Sequence, residues 1–501
     1  MRRLRSLPRL GVAALTVAAT LGGVSHAQTS RAAATPTTVT VWTGGLNPDT
    51  WTKPSAAHPV AHSALRLIAQ QFMKDNAGVT IALPTNQAIP ATGPDNATWL
   101  TAHVAGGTAP EIVRTNFQQA VKQNWCLPLD SYLQQPNPFI PGNKHWIDVF
   151  YPGIQKGIPW SNGHDYNLPL SAPYPNLVII LDENLSLLKK AGYTGKITTY
   201  KDQWAAAAKL KSMGLGSMSP WPSLEAAYHY EADTWPLQWQ LLQPFIQAVA
   251  PAIDTNHDSV LSQAEMAKAV VAGKWGPSVP QFKAMLGDYK KLSQTWTPGW
   301  TTTDLTALWD ADKIGLQEDG YWTLIARSGD PKVTFQHTFS ILPEIQHSDD
   351  SLASAPIAVT AGDGKIPANL VAFVENAVPD VCVIKSSVQA HHNLAQTIRF
   401  LQYMFTPKNN AFMVNEDGSG ISSLQGAPIL PAFAQFNYQH LPVYKYDPQG
   451  NTGIGFDNQG NTETDREMGA WIGGRLSDSQ FFSQLAASQK ASARRFLSTA
   501  K

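Results

Sequence analysis

The sequence predicts an α/β fold built around largely parallel sheets, and three observations carry that expectation. Short β-branched runs alternate along the chain with segments of helical apolar spacing, which is the order of β-α-β units. The chain has 501 residues, against about 100 to 200 for a typical domain, so two or three domains with a large buried core are expected. Charged residues make up only 15% while hydrophobic residues reach 43%, a balance that excludes disorder driven by charge repulsion.

The elements follow in order. Val39-Thr40-Val41-Trp42 alternates as a strand does and is broken by Thr43-Gly44-Gly45. Ala61 to Lys74 places Leu65, Leu67, Ile68 and Phe72 at helical spacing, and Gly78 to Leu83 reads as the second strand. Thr98 to Gly107 reads as a helix, Glu111 to Arg114 as a strand and Asn116 to Asn124 as a helix. Ligands of such sheets bind at the carboxyl ends of the strands, where Trp42 to Gly45 and Thr115 to Phe117 stand. A second region opens with a strand at Val178 to Leu181, then helices at Leu185 to Ala191 and Lys201 to Lys211. Helical patterns at Thr255 to Trp275 and Pro280 to Thr295 precede the segment Ile314 to Trp322. Strands are expected at Asn369 to Val374 and Val381 to Lys385, and helices at Asn393 to Phe405 and Phe481 to Leu497.

The first residues read as an export signal. Arg2, Arg3, Arg5 and Arg9 precede the apolar run Leu10 to Gly23, and Ser25-His26-Ala27 supplies small residues for cleavage after Ala27. The run is too short for a membrane span, which needs about 20 residues, and no cysteine precedes Cys126 to carry a lipid. A periplasmic or secreted protein with a signal peptide at 1–27 and a flexible leader at 28–38 is therefore expected. In that oxidising setting Cys126 and Cys382 either pair or stay as buried thiols, and their spacing does not decide.

Lys plus Arg number 37 and Asp plus Glu number 37, so no global field gathers polyanions and nucleic acid is excluded as a bulk partner. The chain is instead rich in flat amphipathic rings, with 16 Trp, 14 Tyr and 18 Phe, which suit polyols as well as cores.

Several segments resemble, in order, the carbohydrate-binding, maltose-binding-protein-like family of extracellular solute-binding proteins that serve ABC importers. The residues that carry the resemblance are Val39 to Trp42, then Ala105-Gly106-Gly107-Thr108-Ala109-Pro110-Glu111-Ile112-Val113, with Glu in place of the usual Asp, and Pro128-Leu129-Asp130. Asn176 to Leu185, Lys190-Ala191-Gly192-Tyr193, Thr199 to Trp204, Gly320-Tyr321-Trp322 and Asn393 to Tyr403 continue it, although Ile180 and Leu181 stand where the family prefers Tyr. The resemblance implies a two-lobed periplasmic-binding-protein fold with hinge crossings and an interlobe ligand cleft. Lobe 1 would comprise 39–172 and 355–417, and lobe 2 173–354 and 418–501. It further implies a monomer that binds a sugar or oligosaccharide by closure and delivers it to ABC permease subunits in the membrane. Strand-end position and family correspondence together mark Thr43, Gly44, Asn116, Phe117, Tyr174, Trp221, Asp319 and Trp322 as ligand-binding candidates: rings for stacking, hydroxyl and amide groups for hydrogen bonds, and Asp319 as a hydroxyl acceptor.

A second constellation is independent of that family. Asp254, Asn256, Asp258, Val260, Ser262 and Glu265 fall at positions 1, 3, 5, 7, 9 and 12 of an EF-hand-like loop, where Ca²⁺ finds its oxygens. Leu261 at position 8 fits, whereas Ser259 replaces the usual Gly at position 6 and must bear a left-handed backbone. The alternative is that Ser262 and Glu265 form only a capping box. Structural calcium pinning a helix pair is the expectation.

No catalytic group is required for this function, and the sequence holds no Gly-x-Ser-x-Gly, His-Glu-x-x-His or phosphate-cradling motif. The alternatives are a secreted glycosidase-like enzyme, which needs two carboxylates across a cleft, and a calcium-dependent adhesion or scaffold module.

Overall fold

A computed structural model describes residues 36–53, 55, 58, 60–89, 93–114, 120, 123–151, 155, 160–161, 164–172, 179–216, 232, 236–300, 303, 305–320, 323–356, 358–359, 381–417, 421–429, 442–448 and 451–499. The expected signal peptide, the helix 116–124 for most of its length and the strand 369–374 lie outside them. The strands used below are β1 (Thr37–Trp42), β2 (Val79–Ala82), β3 (Ile112–Arg114), β4 (Asn167–Leu168), β5 (Ile179–Asn184), β6 (Leu316–Gly320), β7 (His337–Ile341) and β8 (Val381–Val383). The helices are α1 (Ala64–Asp75), α2 (Gly93–Ala105), α3 (Tyr200–Ser212), α4 (Gln263–Val271), α5 (Pro280–Ser293), α6 (Leu394–Met404), α7 (Pro407–Asp417), α8 (Asn458–Ile472) and α9 (Asp478–Thr499).

The first sheet has five strands in the order β2-β1-β3-β8-β4. The pairs β1–β2 and β1–β3 are parallel, whereas β8 runs antiparallel to both β3 and β4. Alternation divides its two faces. Ile112, Val381 and Val383 enter a core shared with α1 and α6, while Val113 and Cys382 enter a smaller cluster with Leu100 of α2 and Cys126. Helix α1 buries Leu65, Ile68 and Phe72 as its spacing predicts, but Leu67 is 47% exposed, one position off the apolar stripe.

Two devices lock this sheet. Glu111, at the family motif's acidic position, is buried, and its Oε2 accepts the Thr40 backbone N–H at 2.6 Å. Its Oε1 meets His391 Nδ1 at 2.5 Å and accepts from Asn393 Nδ2 at 2.9 Å. A buried carboxylate is stable only when its lone pairs are filled, and here they are filled by three groups from two distant stretches of chain. The second device settles the open cysteine question. Cys126 and Cys382 form a disulfide with Cα atoms 5.7 Å apart across 256 positions. Ladder bonds from Leu127 N to Val383 O and from Lys385 N to Trp125 O, each 2.8 Å, flank it.

The second sheet corrects an expectation. Its order is β7-β5-β6 and both pairings are antiparallel, where a parallel sheet was expected. A buried apolar run such as Ile179-Ile180-Leu181 looks the same in either direction, and the long helical excursion between β5 and β6 is ample for the chain to reverse. Ile179 and Leu181 join the second core with α3, α4, α5 and α9, whereas Ile180 joins the first, so the two cores meet at β5.

Among the described residues, the chain goes over from the first core to the second between Leu170 and Ile179, returns between Ala353 and Val381 and goes over again between Leu424 and Tyr446, while Ile180 and Leu324 also pack in the first core. The last passage is later than the expected boundary at 418, because Ile421–Ser422 pairs with Ser171–Ala172 and Leu424 packs in the first core. Ala358–Val359 pairs with Pro442–Val443, which joins the second and third passages. Helices α7 and α8 were not expected from the sequence. Asp457 caps α8 by accepting the Gly460 N–H at 2.6 Å and ties it to α9 through Arg495 Nε at 2.7 Å.

Replacing Cys126 and Cys382 with Ser should cost about 2 to 5 kcal/mol of stability, measured by denaturant unfolding with and without reductant. Reductant should destabilise the wild type and leave the double variant unchanged.

Candidate functional site

Two surfaces gather the polar groups expected to meet a ligand: the carboxyl ends of β1 and β3, and the face of the second sheet turned towards the first core. At the first, Thr43 is buried, and both its N–H (2.6 Å) and its Oγ1 (3.0 Å) donate to Asn47 Oδ1. Asn47 in turn donates from Nδ2 to Val41 O at 3.0 Å and Pro84 O at 2.9 Å. Thr43 therefore fixes the loop through Asn47, a different role from the hydroxyl contact expected of it.

Gly44 has φ +66°, and a Cβ placed there would sit 3.3 Å from Arg114 Cδ. Its glycine is required by left-handed backbone and by the close approach of that arginine. Sequence reasoning missed Arg114 itself. It ends β3, is half-buried and has no ion-pair partner among the described residues. A guanidinium offers five N–H donors in a planar fork, suited to paired hydroxyl oxygens or a carboxylate. The available signal was an arginine closing an otherwise apolar strand at its ligand-facing end.

Asp49 anchors the next turn. Burial pushes its carboxyl up, but the His62 backbone N–H, Gln87 and the His62 ring outweigh this and hold it below the usual range. The His62 ring lies 2.7 Å away.

On the second sheet, alternation puts Asp182 on the same face as Ile180, with Gln317, Asp319 and His337 beside it across the ladder. Asp182 Oδ1 meets His337 Nδ1 at 2.9 Å. Asp319 is only 3% exposed, and its Oδ2 takes Arg327 Nε at 2.7 Å and Nη2 at 2.5 Å. Arg327 also donates to Gln317 Oε1 at 2.9 Å and lies 5.9 Å from the Trp309 ring. The carboxylate expected to accept a sugar hydroxyl is thus already neutralised, since a charge buried this deeply needs a countercharge. On the opposite face, burial pushes Glu183 up to about 7.

Asn116, Phe117, Tyr174, Trp221 and Trp322 lie outside the described residues. The loop from Asp254 to Glu265 stands apart from both surfaces, at the start of α4. The capping box is present: Ser262 Oγ and Glu265 bond reciprocally. Glu265 Oε1 also accepts the Thr255 N–H and hydroxyl, each at 2.7 Å. Ser259 adopts the left-handed backbone that position 6 requires, with φ +69°. Among the described residues no three carboxylate, imidazole or thiolate groups converge on one point.

No family model and no curated protein matches the sequence at a significant level. Solved structures do. A chitin oligosaccharide binding protein aligns over 92% of this chain and 99% of its own, at 14% identity and TM-score 0.57. A cyclic alpha-maltosyl-1,6-maltose binding protein from Arthrobacter globiformis aligns over 92% and 100%, at 15% identity and TM-score 0.55. An ABC substrate-binding protein from Listeria monocytogenes, solved with cycloalternan, aligns over 93% and 99%, at 14% identity and TM-score 0.55. The chain has the two-lobed solute-binding-protein fold that these structures share.

One buried carboxyl beside the passages has a testable signature. Burial pushes Glu344 from 4.5 up to about 8, with the Tyr444 hydroxyl as its polar neighbour. Folding therefore retains a proton that the unfolded chain has released, and stability should fall as pH rises from 4.5 towards about 8. Glu344→Gln should flatten that part of a Tm against pH curve and stabilise the protein at its alkaline end.

Proposed function

We propose that this chain is the substrate-binding component of an ABC importer, which takes a sugar or oligosaccharide between its two lobes and presents it to a membrane permease. The observation that carries this reading is the fold: two cores joined by three passages, aligned nearly end to end with proteins whose names record oligosaccharide binding. Passages between two separately packed cores let the two units rotate with little repacking inside either, which is the mechanics of hinge closure. A ligand that contacts both units stabilises the closed state by its differential affinity, and closure displays the two surfaces in one register.

The chemistry asked of the site is recognition. Sugars present apolar ring faces and a rim of hydroxyls, so stacking rings and hydrogen-bond groups suffice, and no bond is made or broken. Phe117, Tyr174, Trp221 and Trp322 remain the proposed platforms, with Asn116 and Gly44 at the rim and Arg114 as the charged donor. Thr43 and Asp319 act through Asn47 and Arg327, holding the surfaces in shape.

Export completes the proposal. The signal segment would be cleaved after Ala27, and among the described residues no helix is long and apolar enough to cross a membrane. The exported protein should therefore begin at Gln28, which N-terminal sequencing of culture supernatant or periplasm checks; a chain that retains Met1 contradicts it.

A panel of neutral and acidic oligosaccharides screened by thermal shift tests the ligand class. A true ligand at 100 times its Kd should add about 2.7 kcal/mol, and a flat panel rejects the sugar reading. Arg114→Ala should weaken the best ligand by about 1.5 to 3 kcal/mol and leave the unliganded Tm in place.

A further inference from the structure

We infer that the loop Asp254 to Glu265 is a calcium site, and that the ion fastens the third passage of the chain to the second core. The loop's backbone already follows the course that a twelve-residue calcium loop requires. Asp254 Oδ2 accepts the Ser259 N–H at 3.1 Å, which folds position 6 over position 1. Asn256 Oδ1 accepts the Asp258 N–H at 3.1 Å, and Asp258 Oδ1 accepts the Val260 N–H at 2.8 Å. Asn256 Nδ2 also donates to Asp258 Oδ2 at 2.8 Å, so positions 3 and 5 are bonded to one another and a cation would take these oxygens over from those N–H groups. Ser259 holds the left-handed turn even though its Cβ disfavours it.

The observation that points to a ligand is Asp254 itself. The residue is only 5% exposed, and its Oδ1 has no hydrogen-bond partner. With Oδ2 committed to Ser259 inside the loop, Oδ1 belongs to a carboxylate turned inward. A buried anionic oxygen lacking a donor is costly, and in a loop that also carries Asn256, Asp258 and the Val260 carbonyl a hard divalent cation is the partner that fits. Glu265 at position 12 now binds Thr255 and Ser262. These donors fill its oxygens, and a cation entering the loop would displace them to take the two oxygens that position 12 supplies.

The surroundings say what the ion would do. Position 8 of such loops ordinarily pairs with a second loop; here Leu261 N donates to Asp447 O at 2.7 Å and Asp447 N donates to Ser259 O at 2.9 Å. Residue 447 follows directly on the third passage, so an ion in the loop would clamp the point at which the chain re-enters the second core, while α4 packs on α9. One loop with Ser at position 6 suits an affinity like that of extracellular modules, Kd about 10⁻⁴ to 10⁻³ M.

The test uses the full mature protein stripped with EDTA and titrated with CaCl2, by calorimetry and by thermal shift, with MgCl2 alongside. The expected result is one calcium per chain, a rise in Tm that magnesium does not reproduce, and slower proteolysis around 442–448. Asp254→Asn, which leaves the capping box intact, and Asp258→Asn should each weaken calcium at least tenfold. Asp258 is exposed, so its variant carries the test if Asp254→Asn fails to fold. No calcium heat in the stripped wild type, or a calcium response unchanged in Asp258→Asn, overturns the inference and leaves the loop as a helix cap. Neither outcome depends on whether the protein binds sugar.

Discussion

The carboxylate of Glu111 is the constraint on which the first unit depends. Residue 40 and residues 391–393 lie far from it in the chain, and this one buried acid binds groups from both stretches. Remove that acid and the Thr40 N–H and Asn393 amide lose an acceptor inside a region closed to water, a cost of about 1 to 3 kcal/mol for each orphaned group. The same contact orders function. It holds the amino end of β3 against β1, so that the carboxyl ends of both strands, with Gly44 and Arg114, emerge side by side.

The second sheet solves a harder problem by similar means. Its central strand β5 is buried along its whole length, yet its second half reads Asp182-Glu183-Asn184. Asp182 and Asn184 find particular partners: His337 for Asp182 Oδ1, and Leu187 N and Asp312 for Asn184. The Asp319–Arg327 pair adds a charged layer on the face turned towards the first core. Such a layer is worth little as net stability, since desolvation offsets attraction. Its use is geometric, because a hydrogen-bonded network permits one arrangement where an oily face would permit several.

Much of this architecture was legible in the sequence. β1, α1, β3, α3, α5, α6 and α9 fall close to where periodicity put them, because local spacing decides which face of an element is buried. The loop at 254–265 was legible in unusual detail, down to the left-handed turn at Ser259. What escaped was set by tertiary partners. Nothing local tells that Asn47 will capture the Thr43 hydroxyl, or that an arginine eight positions on will claim Asp319. Strand direction in the second sheet escaped for a related reason: apolar residues report burial and carry no sense of polarity along the chain. α7 and α8 are polar enough to hide, although the Asp457 cap before α8 was a readable signal.

The bond between Cys126 and Cys382 has a topological consequence. It closes a covalent ring from 126 to 382 that contains β5, β6 and β7 and most of the second core, whose remaining part comes from the stretch after 382. A single proteolytic cut anywhere along the ring would leave one molecule rather than two. The whole stretch between the two cysteines is in this way tethered at both ends to the same sheet.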